Sequence, residues 1–93
     1  MLNSILLAVA VSVNPCIQFS ENAEALMEMR QAEVSEAALL NLAAEHDPRM
    51  IELTLKFYEE PVVPEGQKAS SIKEAGEYAY DLCVKRGYTA EYQ

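Results

Sequence analysis

The sequence is poor in several residue types on which specialised sites depend. Its 93 residues include no tryptophan, three glycines, one histidine and two cysteines. A structural zinc site takes four protein ligands, so one histidine and two cysteines do not fit zinc. The scarcity of glycine, beside abundant alanine, glutamate and leucine, favours helices over sheets.

The same shortages argue against catalysis. A lone histidine, His46, and cysteines expected to be oxidised leave no nucleophile–base pair for triad chemistry. Carboxylates are plentiful, but a bundle of about 80 residues has little room for a cleft that raises the pKa of a glutamate. We therefore expect no enzymatic activity and no cofactor, and we interpret His46 as a surface or capping residue.

Basic residues are also scarce. Seven lysines and arginines stand against 15 aspartates and glutamates, which gives a formal charge of −8. Such a chain repels phosphate backbones and anionic membrane surfaces, so we expect no nucleic-acid partner. Hydrophobic residues still make up 51% of the chain, which is enough for one small folded domain rather than a disordered tail.

The apolar run near the amino terminus is too short for a membrane span, which needs roughly 20 apolar residues. Its dense part, residues 5–13, has the length of the hydrophobic region of a signal peptide, about 7–15 residues. The run contains small residues of the kind that signal peptidase requires before its cleavage site, namely Ala8, Ala10 and Ser12. No lysine or arginine precedes the run, which departs from the usual signal-peptide pattern.

From this run we predict a cleaved signal peptide at residues 1–12 and a single helical domain at residues 13–93. The mature protein would then be periplasmic or secreted, without a stable membrane span. Two alternatives stay open. Residues 1–13 are retained either as a core element of a cytosolic protein or as a membrane anchor.

The two cysteines, Cys16 and Cys83, lie near opposite ends of the predicted domain. Two cysteines far apart fit a single disulfide formed in an oxidising compartment. The alternative is a pair of unlinked buried thiols. A disulfide would tie the first helix to the last and supply a large share of the stability of so small a domain.

Four helices are predicted from capping residues and apolar periodicity. Their limits, in chain order, are Asn14-Pro15 to Gln31, Ser35 to Glu45-His46, Asp47-Pro48 to Pro61, and the Ser71–Glu74 capping box to Gly87. The intervening "PVVPEGQK" reads as a loop because of its prolines. The predicted fold class is all-α: a small four-helix bundle stapled by one disulfide, Cys16–Cys83.

Two features of the predicted bundle concern packing. The third helix, "RMIELTLKFYEE", is apolar on most sides and should be the most buried of the four. Gly76 lies in the middle of the fourth helix, where glycine costs about 1 kcal/mol relative to alanine. We interpret Gly76 as a point of close approach by another helix.

Three short segments of the chain carry a resemblance to known proteins. Arg30-Gln31 with Val34-Ser35 resembles an Ala-Arg-Gln-x-Gly-Val segment. Tyr58 and Pro61 resemble an Ala-Tyr-x-x-Pro segment, and Tyr80 with Cys83 resembles a Tyr-x-x-Cys ending. These segments occur in the same order, over roughly residues 16–86, in a family of small periplasmic proteins from proteobacteria and their phages, which the chain therefore resembles.

The chain departs from this family at two positions of those segments. Glu33 stands where the family usually has glycine, and Phe57 where it often has alanine. The resemblance implies an exported, all-helical, disulfide-bonded domain. It implies no activity.

Binding to another protein is the function that these features favour. Small stapled helical domains of the bacterial envelope commonly present one face to a partner, as inhibitors, immunity, exclusion or lysis-regulating factors. Tyrosine offers contact area at little entropic cost, and an acidic face supplies charge. The candidate partner-binding residues are Glu21, Glu24, Glu28, Tyr78, Tyr88 and Tyr92. In the plainer interpretation the glutamates form a solvated face and the tyrosines pack within the domain.

Other functions remain as alternatives, and a homodimer is compatible with each of them. An acid-stress-type periplasmic chaperone would use the 15 acidic residues, because their neutralisation at low pH could loosen a dimer. A cytosolic structural or virion accessory protein would instead retain residues 1–13 within its core.

Overall fold

The computed structural model describes residues 14–89, and within this range it contains four α-helices and no strand. The helices are α1 (Pro15–Gln31), α2 (Glu36–His46), α3 (Met50–Phe57) and α4 (Lys68–Arg86), with a 3₁₀ turn (Glu65–Gln67) before α4. The all-α prediction is therefore confirmed. The predicted signal peptide and Tyr92 lie outside the described residues.

The starts of the first two helices follow their capping residues. The side chain of Asn14 accepts a hydrogen bond from the N–H of Cys16 at 2.8 Å, and Pro15 takes the first helical position. Ser35 Oγ accepts from the N–H of Ala38 at 3.2 Å. Each cap satisfies a backbone donor that the first turn of a helix leaves without a partner. The limits predicted for α1 and α2 are confirmed.

The start of α3 differs slightly from its prediction. Asp47 and Pro48 form a tight turn ahead of the helix, in which the N–H of Met50 donates to the Asp47 carbonyl at 2.8 Å. The Asp47 carboxylate accepts from the N–H of Arg49 at 3.1 Å. The aspartate thus caps the turn, and regular α-helix begins at Met50.

The predicted start of α4 at Ser71 is wrong, because the helix begins at Lys68. Immediately after Pro64 the chain enters a 3₁₀ turn, closed by the N–H of Gln67 donating to the Pro64 carbonyl at 2.8 Å. The ammonium of Lys68 then donates to the backbone carbonyl of Gln31 at 3.1 Å. The 3₁₀ turn runs directly into α4, and the Ser71–Glu74 pair lies inside the helix.

Helices α1 and α4 pack antiparallel and are joined by the Cys16–Cys83 disulfide, whose Cα atoms are 5.5 Å apart. The predicted disulfide is therefore present. Small residues line the contact: Ala23 and Ala79 are fully buried, and Ala75 is nearly so. Small side chains allow two helix backbones to approach closely.

Gly76 lies at this close approach, as predicted. A Cβ atom added there would come within 2.6 Å of Glu24 Cγ. The hydroxyl of Ser20 also donates to the Gly76 carbonyl at 2.7 Å. Any residue larger than glycine at this position would therefore require the flexible Glu24 side chain of α1 to move.

Helices α2 and α3 pack mainly against each other, and α3 makes more of the contact with α1 than α2 does. Half of the eight residues of α3 are buried, a larger share than in the other helices, as predicted. Leu53 and Thr54 have no exposed surface. The Thr54 hydroxyl donates to the Met50 carbonyl at 2.9 Å, so this buried polar group is satisfied.

The carboxyl end of α1 is held by side-chain hydrogen bonds. The buried Gln31 accepts from the N–H of Val63 through Oε1 at 3.0 Å. The Arg30 guanidinium lies 4.4 Å from the centre of the Tyr58 ring and donates to the Glu60 carbonyl at 2.8 Å. These contacts fasten the loop between α3 and α4 to α1.

The chain leaves α1 through a Schellman motif. The N–H of Glu33 donates to the Arg30 carbonyl at 2.9 Å, and the N–H of Val34 donates to the Met29 carbonyl at 3.1 Å. The motif places Glu33 at a left-handed φ of 67°, a conformation that favours glycine. This is the position where the resembled family usually has glycine.

Candidate functional site

An open groove of about 670 Å³ runs between α1 and α2. Its apolar lining comes from Phe19, Ala25, Leu26, Met29, Leu42, Ala43 and Met50. Phe19, Leu26 and Met50 are buried and form the floor, whereas Met29 and Leu42 are half-buried at the edges. The polar lining comes from Gln18, Asn22, His46, Asp47, Arg49 and Thr89.

The groove exists because α1 carries two apolar faces. One face, which includes Cys16 and Ala23, packs on α4. The other is centred on the buried Phe19 and Leu26, and α2 leaves its edge uncovered, since α2 packs mainly on α3. The exposed Ala25 and the half-buried Met29 lie on this edge and are accessible to a ligand or partner.

One end of the groove is closed by an ion pair. Arg49 binds the Asp47 carboxylate with two hydrogen bonds, Nε to Oδ1 at 2.9 Å and Nη2 to Oδ2 at 2.8 Å. The guanidinium also lies 4.6 Å from the centre of the Tyr88 ring and donates to the Thr89 carbonyl at 3.2 Å. Bidentate pairing and ring stacking together hold an arginine in one orientation. Arg49 therefore fixes the chain after α4 to the end of the groove.

Acidic residues border both sides of the groove. Glu21 and Glu28 lie three positions after the lining residues Gln18 and Ala25 of α1, and Glu45 lies three positions after Leu42 of α2. Residues three apart are neighbours on a helix surface. All three glutamates are exposed. The rims are thus acidic, while the floor is apolar.

The candidate glutamates from the sequence are divided between two surfaces. Glu28 borders the groove, and Glu21 stands on the ridge of α1 between the groove and a smaller hollow, which it lines together with Glu24. Glu24 is half-buried on the other side of α1, over Gly76. The structure therefore does not bring all three together as one face.

The candidate tyrosines lie apart from the groove lining. Tyr78 is 41% exposed on α4, and the Lys56 ammonium lies 4.7 Å from the centre of its ring. Tyr88 is half-buried and packs edge-on against Phe19, with ring centres 5.2 Å apart. It supports the groove floor from behind. Tyr92 is outside the described residues.

Side-chain contacts also join α3 and α4 near Tyr88. Arg86 donates to both carboxylate oxygens of Glu52, at 2.7 and 3.1 Å. These hydrogen bonds lower the pKa of Glu52 below its usual value. Arg86 also donates to the Tyr88 hydroxyl at 3.1 Å. The pair is exposed, so it contributes little to stability.

A second, smaller hollow of about 390 Å³ lies between α1 and α4. Its lining is Ile17, Ser20, Glu21, Glu24, Lys73, Glu77, Tyr80 and Asp81. Ile17 is 48% exposed there. The Tyr80 hydroxyl accepts a hydrogen bond from the Asn14 amide at 3.2 Å.

Three further properties concern residues 14–89 alone. No helix in this range is both long enough and apolar enough to span a membrane. No group of three or more His, Cys, Asp or Glu side chains there is arranged to hold a metal ion. Every buried side-chain nitrogen or oxygen of the same range has a hydrogen-bond partner.

Comparison of the chain with protein-family models, with curated proteins and with solved structures finds no match. The resemblance to small periplasmic proteins therefore stays a prediction. The properties of the groove have to be argued from its own residues.

Sequence reasoning missed most of the groove. Asn22, Ala25, Met29 and Arg49 line the groove but were not among the candidate residues predicted from the sequence. The available signal was the spacing of Ala25 and Met29 beside Phe19 and Leu26, which gives α1 a second apolar face. That face reveals an open groove only once the position of α2 is known.

Proposed function

We propose that this protein is a non-enzymatic, exported binding protein that holds a segment of another protein in the α1–α2 groove. The groove itself carries the proposal. Its floor is apolar and its edges are polar, which is the usual arrangement at the centre and rim of a protein interface. The half-buried Met29 and Leu42 offer apolar side chains that a partner would cover.

Export is supported by the disulfide. Disulfides form and persist in oxidising environments outside the cytosol, and Cys16–Cys83 links the two longest helices. The finer assignment, a periplasmic protein released by cleavage within residues 1–13, is part of the proposal. The intact mass of the protein recovered from the periplasm, before and after reduction, tests it.

Two outcomes of the mass measurement are informative. A chain that begins at Val11 or Val13 and gains two hydrogens on reduction would support export. A chain that begins at Met1 and carries two free thiols would contradict it. In that case the cytosolic alternative, with residues 1–13 kept as a core element, would replace it.

Binding in the groove can be tested by site-specific photo-crosslinking in the cells that make the protein. Ala25 is exposed and lines the groove, so a photoreactive residue there should give one adduct of defined mass. Lys85, exposed on α4 and away from the groove lining, provides the matched control position. Equal crosslinking from both positions, or none from Ala25, would contradict the proposal.

A further inference from the structure

We propose that the segment held in the groove is a cationic amphipathic helix. This inference rests on the proposed function and adds the chemistry of the partner. It is carried by three features of the groove: its length along α1, its helical walls, which offer few free backbone groups, and the charge of its rims.

The length of the groove fits a helix of a few turns. Its lining on α1 extends from Pro15 to Met29, which corresponds to roughly 20 Å at 1.5 Å per residue. A partner helix lying along this strip would place three or four apolar side chains in it, at the i, i+3 or i+4, and i+7 positions typical of helix-in-groove recognition.

The groove floor favours a helix over an extended peptide. An extended strand needs backbone partners for its own N–H and C=O groups. The groove is walled mainly by α1 and α2, whose backbone groups between the end turns are hydrogen-bonded within the helices, and its floor consists of Phe19, Leu26 and Met50 side chains. The backbone N–H and C=O groups of a partner helix are hydrogen-bonded within that helix, so it needs only apolar contacts from such a floor.

The rims indicate the charge of the partner. By helical spacing from the lining residues, Glu28 borders one side and Glu45 the other, and Glu21 stands on the outer ridge of α1, where it also lines the α1–α4 hollow; all three are exposed. The arginine that lines the groove, Arg49, is bound to Asp47, so this pair adds no net charge. The chain as a whole carries −8. Lysines or arginines flanking the apolar stripe of a partner helix would meet these glutamates, and the overall charge would speed the encounter.

The test uses the purified, disulfide-intact protein labelled with ¹⁵N and two synthetic 16-residue helical peptides. Both peptides carry the same leucine stripe, flanked by lysines in one and by glutamates in the other. We expect the lysine peptide to shift the amide signals of Asn22, Ala25, Met29 and Leu42. The glutamate peptide should bind at least tenfold more weakly.

Variants at the rims separate local contacts from overall charge. Replacing all three rim residues, Glu21→Gln, Glu28→Gln and Glu45→Gln, should weaken the lysine peptide about tenfold at low salt, since each exposed ion pair contributes modestly. The control is Glu59→Gln, Glu60→Gln and Glu74→Gln, which removes the same charge from exposed positions outside the groove. It should change the affinity less than twofold.

The outcomes distinguish this inference from the proposed function. If both peptides bind in the groove with equal affinity, the inference that the partner helix is cationic is wrong, but the proposed function is still supported. If the lysine peptide shifts only the amide signals of residues around Ile17 and Tyr80, in the α1–α4 hollow, the inference that a cationic helix binds in the groove is wrong. If neither peptide binds but a small apolar molecule shifts the groove signals, both proposals fail.

Discussion

The two ends of the α1–α4 pair are closed by different chemistry. At one end a disulfide joins Cys16 to Cys83, and both side chains are buried. At the other end the buried Gln31 is hydrogen-bonded to Val63 and, through its carbonyl, to Lys68. A covalent link acts mainly on the unfolded chain by reducing its entropy. The hydrogen-bonded end acts on the folded chain and fixes a loop.

The comparison also separates structural residues from the candidate site. The segments that carry the family resemblance fall at these two ends, Arg30-Gln31 and Tyr58 at one and Tyr80 with Cys83 at the other. Their contacts within the domain account for these residue types. The groove between α1 and α2 shares none of them, so its binding role has to be tested separately from the resemblance.

Removal of the disulfide should have the largest effect on stability. The bond closes a sequence separation of 67 residues, for which the chain-entropy treatment gives about 4 kcal/mol. Chemical denaturation of the Cys16→Ala, Cys83→Ala double variant should show a loss of this size. Alanine avoids placing a hydroxyl in a buried site. Reduction of the unmodified protein is the control, and a loss below about 1 kcal/mol would show that the disulfide end is held by packing instead.

Loss of the Gln31 side chain should have the next largest effect. Gln31→Ala removes the acceptor of the Val63 N–H in a part-buried site, which should cost about 2 kcal/mol. Chemical denaturation should measure this loss of stability, and hydrogen exchange at the Val63 amide should be faster in the variant than in the unmodified protein. Gln18→Ala, in the same helix but exposed, should change stability by no more than about 0.5 kcal/mol. Unchanged exchange at Val63 would refute this account of the loop.

The sequence was sufficient where local interactions decide the structure. The limits of α1 follow from Asn14 and Pro15, which act on the first turn that directly follows them. The disulfide followed from counting cysteines. The start of α4 was missed because the 3₁₀ turn after Pro64 runs directly into the helix ahead of the capping box at Ser71, and Lys68 there contacts Gln31, 37 positions away. Long-range contacts of this kind leave no local pattern.

The candidate site was predictable only in part. Glu21 and Glu28 were identified as acidic residues of one helix; Glu28 does border the groove, and Glu21 stands on the ridge beside it. The groove itself depends on how far α2 covers the second apolar face of α1. Periodicity shows that the face exists, but the fraction left open is a property of helix packing, which sequence spacing does not encode.

The Tyr58 hydroxyl should make the hydrogen-bonded end sensitive to alkaline pH. It donates to the Val34 carbonyl, and burial raises the pKa of Tyr58 above its ordinary value of 10.0. Because the pKa is raised in the folded state, the contribution of the Tyr58 hydroxyl to stability is complete below about pH 10. It is lost as the pH rises through the pKa of Tyr58 in the folded protein. Tyr58→Phe should cost about 1 kcal/mol at pH 7.

Denaturation between pH 7 and pH 11 measures this effect. The difference in stability between the unmodified protein and Tyr58→Phe should shrink above pH 10. Tyr78→Phe, at an exposed position, is the matched control and should leave the alkaline loss unchanged. A constant difference across the whole pH range would show that the hydroxyl does not titrate with folding.

The smallest expected effect concerns the way the two helices end. Both α1 and α4 finish with a left-handed residue, Gly87 at φ 66° and Glu33 at φ 67°. The left-handed conformation costs a side-chain-bearing residue about 1–2 kcal/mol. Glycine avoids this cost but loses more conformational entropy on folding, which offsets roughly half of the advantage.

Glu33→Gly should therefore stabilise the protein by about 0.5 kcal/mol, whereas Gly87→Ala should destabilise it. Paired denaturation curves would measure both changes. Neither position has a steric conflict that would confuse the result: an added Cβ at Gly87 meets no atom within 4 Å, and Glu33 is exposed. A gain in stability for Glu33→Gly together with a loss for Gly87→Ala would show that backbone conformation alone sets the preference for glycine at these positions. A loss on Glu33→Gly would mean that the Glu33 side chain makes a favourable contribution larger than its conformational cost.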